Sequence, residues 1–526
     1  ASIGNEDLGT DAANNDIISE DEIVAIADNI RNGNFTADGE GTTLQVQGNG
    51  SYQASLEPGM YVILVSGATD TVYNPAVVAV NLTDANADAG TDIAAGSVNL
   101  SNFFQTYADG ETTNVYLKSS LSSMDKNITG SMKDVAVAEG DTTGTNLEPE
   151  NAKGDTVAFG DTVYFELTDM TIPSFSKDYV DPVYQITDQL DADAFGGIRN
   201  IVVKVNDEVI DLNTDYTLTA ADGGTFTEGT SKNFRIRLTQ ALLDEHRTDS
   251  ASIEVTYEST LLSTAGLNYA ENVNNAKLEY SIDPSDSSEY KTIYKNTYHY
   301  TFGIDALLDG QDGTNKQTHE FNKVTEASTN GGADYVDADD VNAKKSSHAL
   351  ADAVFTIYSD EACENPVMRD GVPYTATSNA NGHFFFVGLD EGTYYVRETT
   401  APDNYTLSPN LYKFVISATL DEATGILQEY SITTQYKDVT TGSDWADAGN
   451  AVYTNNLVSA DVTEETGRVT NSVSEVITPM EVVDTRLQSL PSTGASGTIV
   501  ITLVAAAGMA AFLGIYLNGK KKENLQ

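Results

Sequence analysis

The chain cannot close an internal disulfide, because Cys363 is its single cysteine in 526 residues. A long chain built that way needs another source of toughness if it works outside the cell. Basic residues are also scarce. Lys and Arg total 28 against 79 Asp and Glu, for a formal net charge of −51, which excludes nucleic acid as a natural partner and favours a self-repelling, soluble surface. Only five histidines occur, at 246, 299, 319, 348 and 383, and none sits in a His-Glu-x-x-His pattern; no Gly-x-Ser-x-Gly elbow is present. These absences argue against an enzyme, and nothing in the pattern asks for a cofactor. The acidic stretch Asp334 to Asp340 lacks the Gly and final Glu of an EF-hand loop, so it reads as a solvated charge run with no metal. No lysine precedes Lys118, so the first 115 or so residues cannot hold a lysine-based cross-link. The chain begins at Ala1, as a removed signal peptide would leave it.

What is abundant is threonine, valine and tyrosine, punctuated by Gly, Asn and Asp turns, a β-rich composition too long for one core. Ser19 to Gly33 reads as a short helix, with Ser19 and Glu22 as a capping box and Ile23, Ile26 and Ile30 on one face. Strands are expected at 62–65, 76–80, 160–167, 184–190, 201–205, 253–257, from Asn274 as the last strand of its unit, and at 321–324, 353–358, 383–387 and 394–398. A helix is expected near Leu238 to Glu245.

The C-terminal end has three parts in order. Leu490, Pro491, Ser492, Thr493 and Gly494 form one motif. An apolar run follows, Thr498 to Leu517, long enough to cross a bilayer as a helix, and then Lys520, Lys521 and Lys522. This order resembles the cell-wall sorting signal of Gram-positive surface proteins. The resemblance implies cleavage by a sortase between Thr493 and Gly494 and transfer of the Thr493 carbonyl to an amine.

Upstream, four pieces stand in sequence: Asp125-Lys126-Asn-Ile128, Gly160-Asp-Thr-Val163, Thr187-Asp188-Gln-Leu190 and Asn274-Asn-Ala276-Lys-Leu278-Glu-Tyr280. Their order resembles the isopeptide-forming middle domain of backbone pilins from sortase-assembled pili. Tyr394-Tyr-Val-Arg-Glu398-Thr-Thr-Ala-Pro402-Asp-Asn-Tyr405 resembles the E-box of collagen-adhesin B-type pilin domains, with Val396 and Asn404 in place of Leu and Gly. Tyr394, Val396 and Glu398 alternate onto one strand face, so Glu398 is a candidate for burial.

By this resemblance Lys126 is a nucleophile, Asp188 its proton relay and Asn274 its acceptor, with Lys153 a competing nucleophile. Lys323 and Glu398 play the first two parts in the next unit, and the acceptor there is Asp484 or Asn471. Such a bond needs a lysine that burial deprotonates and a carboxyl that burial protonates, brought together in a dry core by folding itself. Closing a loop of about 150 residues would add on the order of 5 kcal/mol through the unfolded state. Val115-Tyr-Leu-Lys118 is similar to the family's Val-Tyr-Pro-Lys, with Leu117 where the family has Pro, which implies Lys118 as the amine that joins subunits.

The expected architecture is all-β: tandem Ig-like, collagen-adhesin-type sandwiches over 1–115, 116–305 and 306–487, then a sorting signal over 488–526 with a transmembrane helix. The expected role is the shaft subunit of a wall-anchored surface pilus that supports adhesion. Its partners would be sortase, identical subunits head to tail and peptidoglycan, with accessory pilins and host or bacterial surface ligands beyond them. A monomeric wall-anchored adhesin is the alternative.

Overall fold

The structure is a computed structural model. It describes chiefly residues 117–132, 152–176, 179–247, 250–304, 321–325, 349–380, 382–454 and 480–485, with shorter stretches before 116 and strand pairs at 307–309 and 315–317. The motif at 490–494, the apolar run after it, Asn471 and the acidic stretch 334–340 lie outside the described residues. In the N-terminal part, helix α1 (Glu20–Arg31) buries Ile23 and Ala27. Strand β1 (Gly59–Ile63) pairs with β3 (Ala76–Val80), and β2 (Val72–Tyr73) pairs with β4 (Ser119–Ser120).

From residue 125 to 300 two sheets enclose one core. The first contains β5 (Asp125–Met132), β7 (Thr162–Ile172), β13 (Ala251–Thr260), β9 (Arg199–Val205) and β10 (Glu208–Val209), in that spatial order. The second contains β6 (Gly154–Thr156), β15 (Asp286–Tyr300), β14 (Asn272–Asp283), β8 (Tyr184–Leu190), β12 (Asn233–Leu238) and β11 (Tyr216–Thr219). Strict alternation makes these strands two-faced. In β13, Ala251, Ile253, Val255 and Tyr257 point inward while Ser252, Glu254 and Thr256 do not. Phe165, Phe195, Phe234, Tyr184 and Tyr280 fill the space between the sheets. Each fully buried side chain of this size contributes about 1.5–3 kcal/mol.

Two expectations need correction here. Asn274 lies on the next-to-last strand: Asp283 and Asp286 face each other across a tight turn, and β15 returns along β14. Leu238 ends strand β12, and the helix is α2, Gln240–Glu245, because the Thr239 hydroxyl accepts a hydrogen bond from Leu242 N and caps it there.

The next unit is a six-stranded sheet ordered β19 (Thr375–Thr377), β18 (Val354–Tyr358), β21 (Gly392–Thr400), β22 (Asn410–Leu420), β23 (Leu427–Asp438) and β24 (Ala446–Thr454). Beside it β17 (Phe321–Val324) and β25 (Met480–Val483) run parallel, Lys323 opposite Val482. The strand expected at 383–387 begins later, as β20 (Phe386–Leu389). Asn379 and His383 exchange backbone and side-chain hydrogen bonds and hold 379–383 as a closed turn.

At residue 300 the chain passes into this unit without a spacer. Strand β16 (Phe302–Ile304) pairs with β20. Tyr269, Tyr298, Tyr300 and Phe302 join one buried cluster with Phe355, Phe386, Tyr412 and Tyr430. Phe159 packs against Gly388, donating its N–H to that carbonyl at 3.1 Å, and Arg369 lies over the Phe159 ring at 5.2 Å. Gly388 has φ +70°, and a Cβ there would meet the Phe159 ring at 2.0 Å. Gly388→Ala is therefore expected to destabilise the protein by on the order of 2 kcal/mol. Gly196→Ala, where a Cβ finds its nearest neighbour at 3.5 Å, is the near-neutral control. Thermal unfolding of the two variants checks this, and equal melting temperatures would count against the close packing at Phe159.

Candidate functional site: two buried lysines

Lys126 opens β5 and points between the two sheets, fully excluded from water. Its Nζ contacts an Asp188 oxygen and donates to the Tyr257 hydroxyl at 2.9 Å. The rings of Phe165 and Tyr257 lie 5.7 and 5.6 Å from it. Asn274 is also fully buried and its Nδ2 donates to the same hydroxyl at 2.7 Å. Strand register explains the meeting. Asp188 faces Ala276 and Leu190 faces Asn274, so Asp188 and Asn274 share the inward face of adjacent strands. Lys126 and Tyr257 reach them from the opposite sheet.

Burial dominates the electrostatics. It pushes the Lys126 amine down to about 8, against the pull of Asp188, and pushes the Asp188 carboxyl up, against the pull of Lys126. At neutral pH about one amine in ten is then a neutral nucleophile, where an ordinary lysine offers fewer than one in a thousand. His299 sits edge-on to Phe165 and Phe195, with ring centroids 5.3 and 5.0 Å away. Burial pushes His299 down to about 3, so the imidazole is neutral and adds no second positive charge near Lys126.

Lys153, the competing nucleophile, has a different setting. Its Nζ donates to Asp125 Oδ1 at 2.5 Å, Asn127 Oδ1 at 2.6 Å and Lys126 O at 2.9 Å, with the side chain 21% exposed. Burial raises the Asp125 carboxyl, but Lys153 more than offsets that and holds it below its ordinary value. That is an ion pair between charged partners, tying down the start of β5.

The second buried lysine is Lys323 in β17. Its Nζ lies 3.3 Å from Glu398 and in contact with Asp484 Oδ1, with all three side chains at 0% exposure. Phe355 lies under the amine at 5.8 Å. Ser408 N donates to Glu398 Oε2 at 2.7 Å. Burial raises the Glu398 carboxyl to about 7, with Lys323 opposing and Asp484 reinforcing. Asp484 is thus the acceptor candidate beside Lys323, at the end of the strand that pairs with β17. Lys118 differs from both: it is exposed, and its carbonyl accepts from Asn74 N at 3.0 Å just before β4.

The sequence reading missed Tyr257, Phe165, Phe355 and His299. Tyr257 left a signal, since it alternates with Ile253 and Val255 onto the buried face of an expected strand.

Residues 339–430 match the prealbumin-like fold domain, and residues 483–524 match the LPXTG cell wall anchor motif. The chain is 22% identical over 531 residues to the trypsin-resistant surface T6 protein of Streptococcus pyogenes serotype M6, covering 95% of this chain and 86% of that protein. The chain is similar to Gram-positive pilins in these matches. Among solved structures it is similar to the T6 backbone pilin of S. pyogenes, with 18% identity over 89% of each chain and a TM-score of 0.49. It is also similar to the full-length major pilin SpaD of Corynebacterium diphtheriae, with 15% identity, 85% and 81% coverage and a TM-score of 0.41. The anchor motif makes the chain a cell-wall-anchored surface protein, and among the described residues its fold is all-β with very little helix.

The Glu398 carboxyl carries a pH signature. If Glu398 relays a proton at this site, it must start protonated. Because its value in the fold lies above the ordinary 4.5, the unreacted site loses stability as pH rises from 4.5 towards 7. In freshly synthesised protein, loss of one water at this site should be on the order of 10- to 100-fold slower at pH 9 than at pH 6, followed by intact mass. A rate that rose with pH would reverse the assigned roles.

Proposed function

We propose that this chain is a Gram-positive pilin, the shaft subunit of a covalent pilus, with a structural, not enzymatic, role. It would comprise three tandem units with boundaries near 115 and 305 and a sorting signal from 488. Isopeptide bonds Lys126–Asn274 and Lys323–Asp484 would close the second and third units, and Thr493 of one copy would join Lys118 of the next. The observation that carries the internal chemistry is the complete burial of two lysines, each beside an acid and an acceptor. Retaining an unreacted ion pair there brings little, because apolar side chains of like volume are often as stable or better.

In the second unit the Lys126 amine passes a proton to Asp188, attacks Asn274 Cγ, and ammonia leaves. In the third, the Lys323 amine attacks Asp484 Cγ, Glu398 moves the protons, and water leaves. No outside catalyst is needed, since folding holds the partners in reach. Lys118 suits the opposite role. It is exposed on a backbone pinned by the β2–β4 pair, so an incoming sortase acyl-enzyme can reach it. Thr493-to-Lys118 joining is head to tail and does not close on itself, so it yields a filament.

Two outcomes test this. Asp484→Asn should still cross-link, but the third unit should lose one ammonia in place of one water, with tandem mass spectrometry locating the bond at Lys323. A bond found at Asn471 would move the acceptor. Lys118→Arg keeps charge but is a poor nucleophile. With the cognate sortase present it should collapse the ladder of detergent-resistant high-mass species to monomer without altering the fold. An undiminished ladder would shift the joining lysine elsewhere, and a wild-type protein that never forms a ladder would favour the monomeric adhesin.

A further inference from the structure

The second-unit site holds a group that the Lys–Asp–Asn scheme leaves unused. The Tyr257 hydroxyl accepts hydrogen bonds from both nitrogens of the reaction, Lys126 Nζ at 2.9 Å and Asn274 Nδ2 at 2.7 Å. It is also hydrogen-bonded to Asp188. The ring cannot swing away. It stacks on Phe165 at 5.0 Å and meets Phe234 edge-on at 5.2 Å, inside a residue only 2% exposed. Two oxygens beside it, Asn274 Oδ1 and Asp188 Oδ1, are buried without a hydrogen bond. Once Asp188 is protonated, the Asn274 carbonyl oxygen on the adjacent strand is the acceptor that lacks a donor. An acid committed there polarises the carbonyl and cannot also serve the leaving nitrogen.

We propose that the Tyr257 hydroxyl is the proton shuttle between the attacking and departing nitrogens, an inference that rests on the isopeptide reading of this site. Nζ of Lys126 first gives one proton to Asp188 and attacks Asn274 Cγ, so the carbonyl π pair moves onto Oδ1. The positively charged Nζ then passes a proton to the Tyr257 oxygen while the Tyr257 proton passes to Nδ2. The Oδ1 pair re-forms the carbonyl, the Cγ–Nδ2 bond breaks, and ammonia departs. Asp188 ends protonated and Tyr257 ends as it began, a neutral phenol. This suits a ring whose burial, with the nearby Asp188, pushes its ionisation well above the ordinary value. The same burial would make a phenolate intermediate costly, so exchange of protons in concert is the route this site favours.

Tyr257→Phe removes one oxygen and keeps the ring. The full chain carrying it should fold, as judged by circular dichroism and protease resistance. It should be isolated with the second-unit ammonia still present and lose it on the order of 100-fold more slowly than wild type, read by intact mass over time. Phe165→Leu loosens the same wall without touching a polar atom and should be isolated fully cross-linked. The shuttle is overturned if Tyr257→Phe is isolated as fully cross-linked as wild type, or if Phe165→Leu also retains its ammonia, which would make the effect one of packing. Should Tyr257→Phe not fold, 3-fluorotyrosine at 257 preserves the shape and makes the hydroxyl more acidic. A maturation rate unchanged by it in cell-free synthesis overturns the shuttle, and a changed rate supports it. Wild type lacking any Lys126–Asn274 bond would bring down the isopeptide reading itself, and the shuttle with it.

Discussion

An amine sealed between two apolar sheets is costly as an ammonium, and much of this protein is arranged around that cost. Holding Lys126 charged in its site costs about 3 kcal/mol relative to water, from the fall of its ionisation to about 8. The surroundings do not remove the cost in the ordinary way, by opening the site to solvent. Phe165, Tyr257 and His299 close it, His299 stays neutral, and the one carboxyl in reach is itself pushed towards its neutral form. Each of these choices destabilises the ion pair relative to the neutral amine and neutral acid. The proposed cross-link would consume both charges, and Lys153, which lies just before β6 and reaches across to the Lys126 carbonyl, shows the contrast. It is partly wetted, faces carboxyl and carbonyl oxygens, and is left as a salt bridge. A difference in exposure between two nearby lysines would separate structural charge from the proposed reactive amine.

How much of this was legible in the sequence depended on period and on partners. Alternation marks β7, β8, β13 and β21, and it places Glu398 on a buried face. It did not say that Asn274 sits one strand from the end: Asp283-Pro-Ser-Asp286 is a turn signal, but the returning strand is half-buried from Tyr290 to Asn296 and shows no alternation there. Nor could it place Tyr257. A tyrosine on an inward face is ordinary core, and only the register between strands distant in sequence puts its hydroxyl between two nitrogens. The choice between Lys126 and Lys153 was likewise beyond local pattern, since exposure is decided by the second sheet. The start of β20 was missed because the closure of the preceding turn is made by the Asn379 side chain, which competes with extended backbone.

The register also sets what tension would do. With both proposed bonds in place, force entering at Lys118 runs eight residues to Lys126, crosses to Asn274, follows the chain to Lys323, crosses to Asp484 and leaves through Thr493. The stretches 127–273 and 324–483 are bypassed. What stays under load is 118–126, 274–323 and 484–493, and the middle stretch includes the β14–β15 hairpin, whose strands pair Asn274 with Thr297 near the open end. A hairpin pulled apart at its mouth parts one pair at a time, the weakest way to load a sheet, so the mouth is where such a fibre would yield. That is where the side chains concentrate their bonds. Asn272 Nδ2 donates to His299 O at 2.9 Å, and the His299 ring nitrogen Nδ1 donates back to Asn272 O at 3.0 Å, both buried. On the far side β6 runs parallel to the same residues, Asp155 opposite His299, so the end of β15 is held from both edges. Beyond it Phe302 packs on Tyr430 and carries the chain straight into the next core. Under that load path His299 has two separate duties from one burial. Its neutrality spares the Lys126 amine a positive neighbour, and its clasp with Asn272 resists opening of the hairpin that the bond leaves exposed to tension.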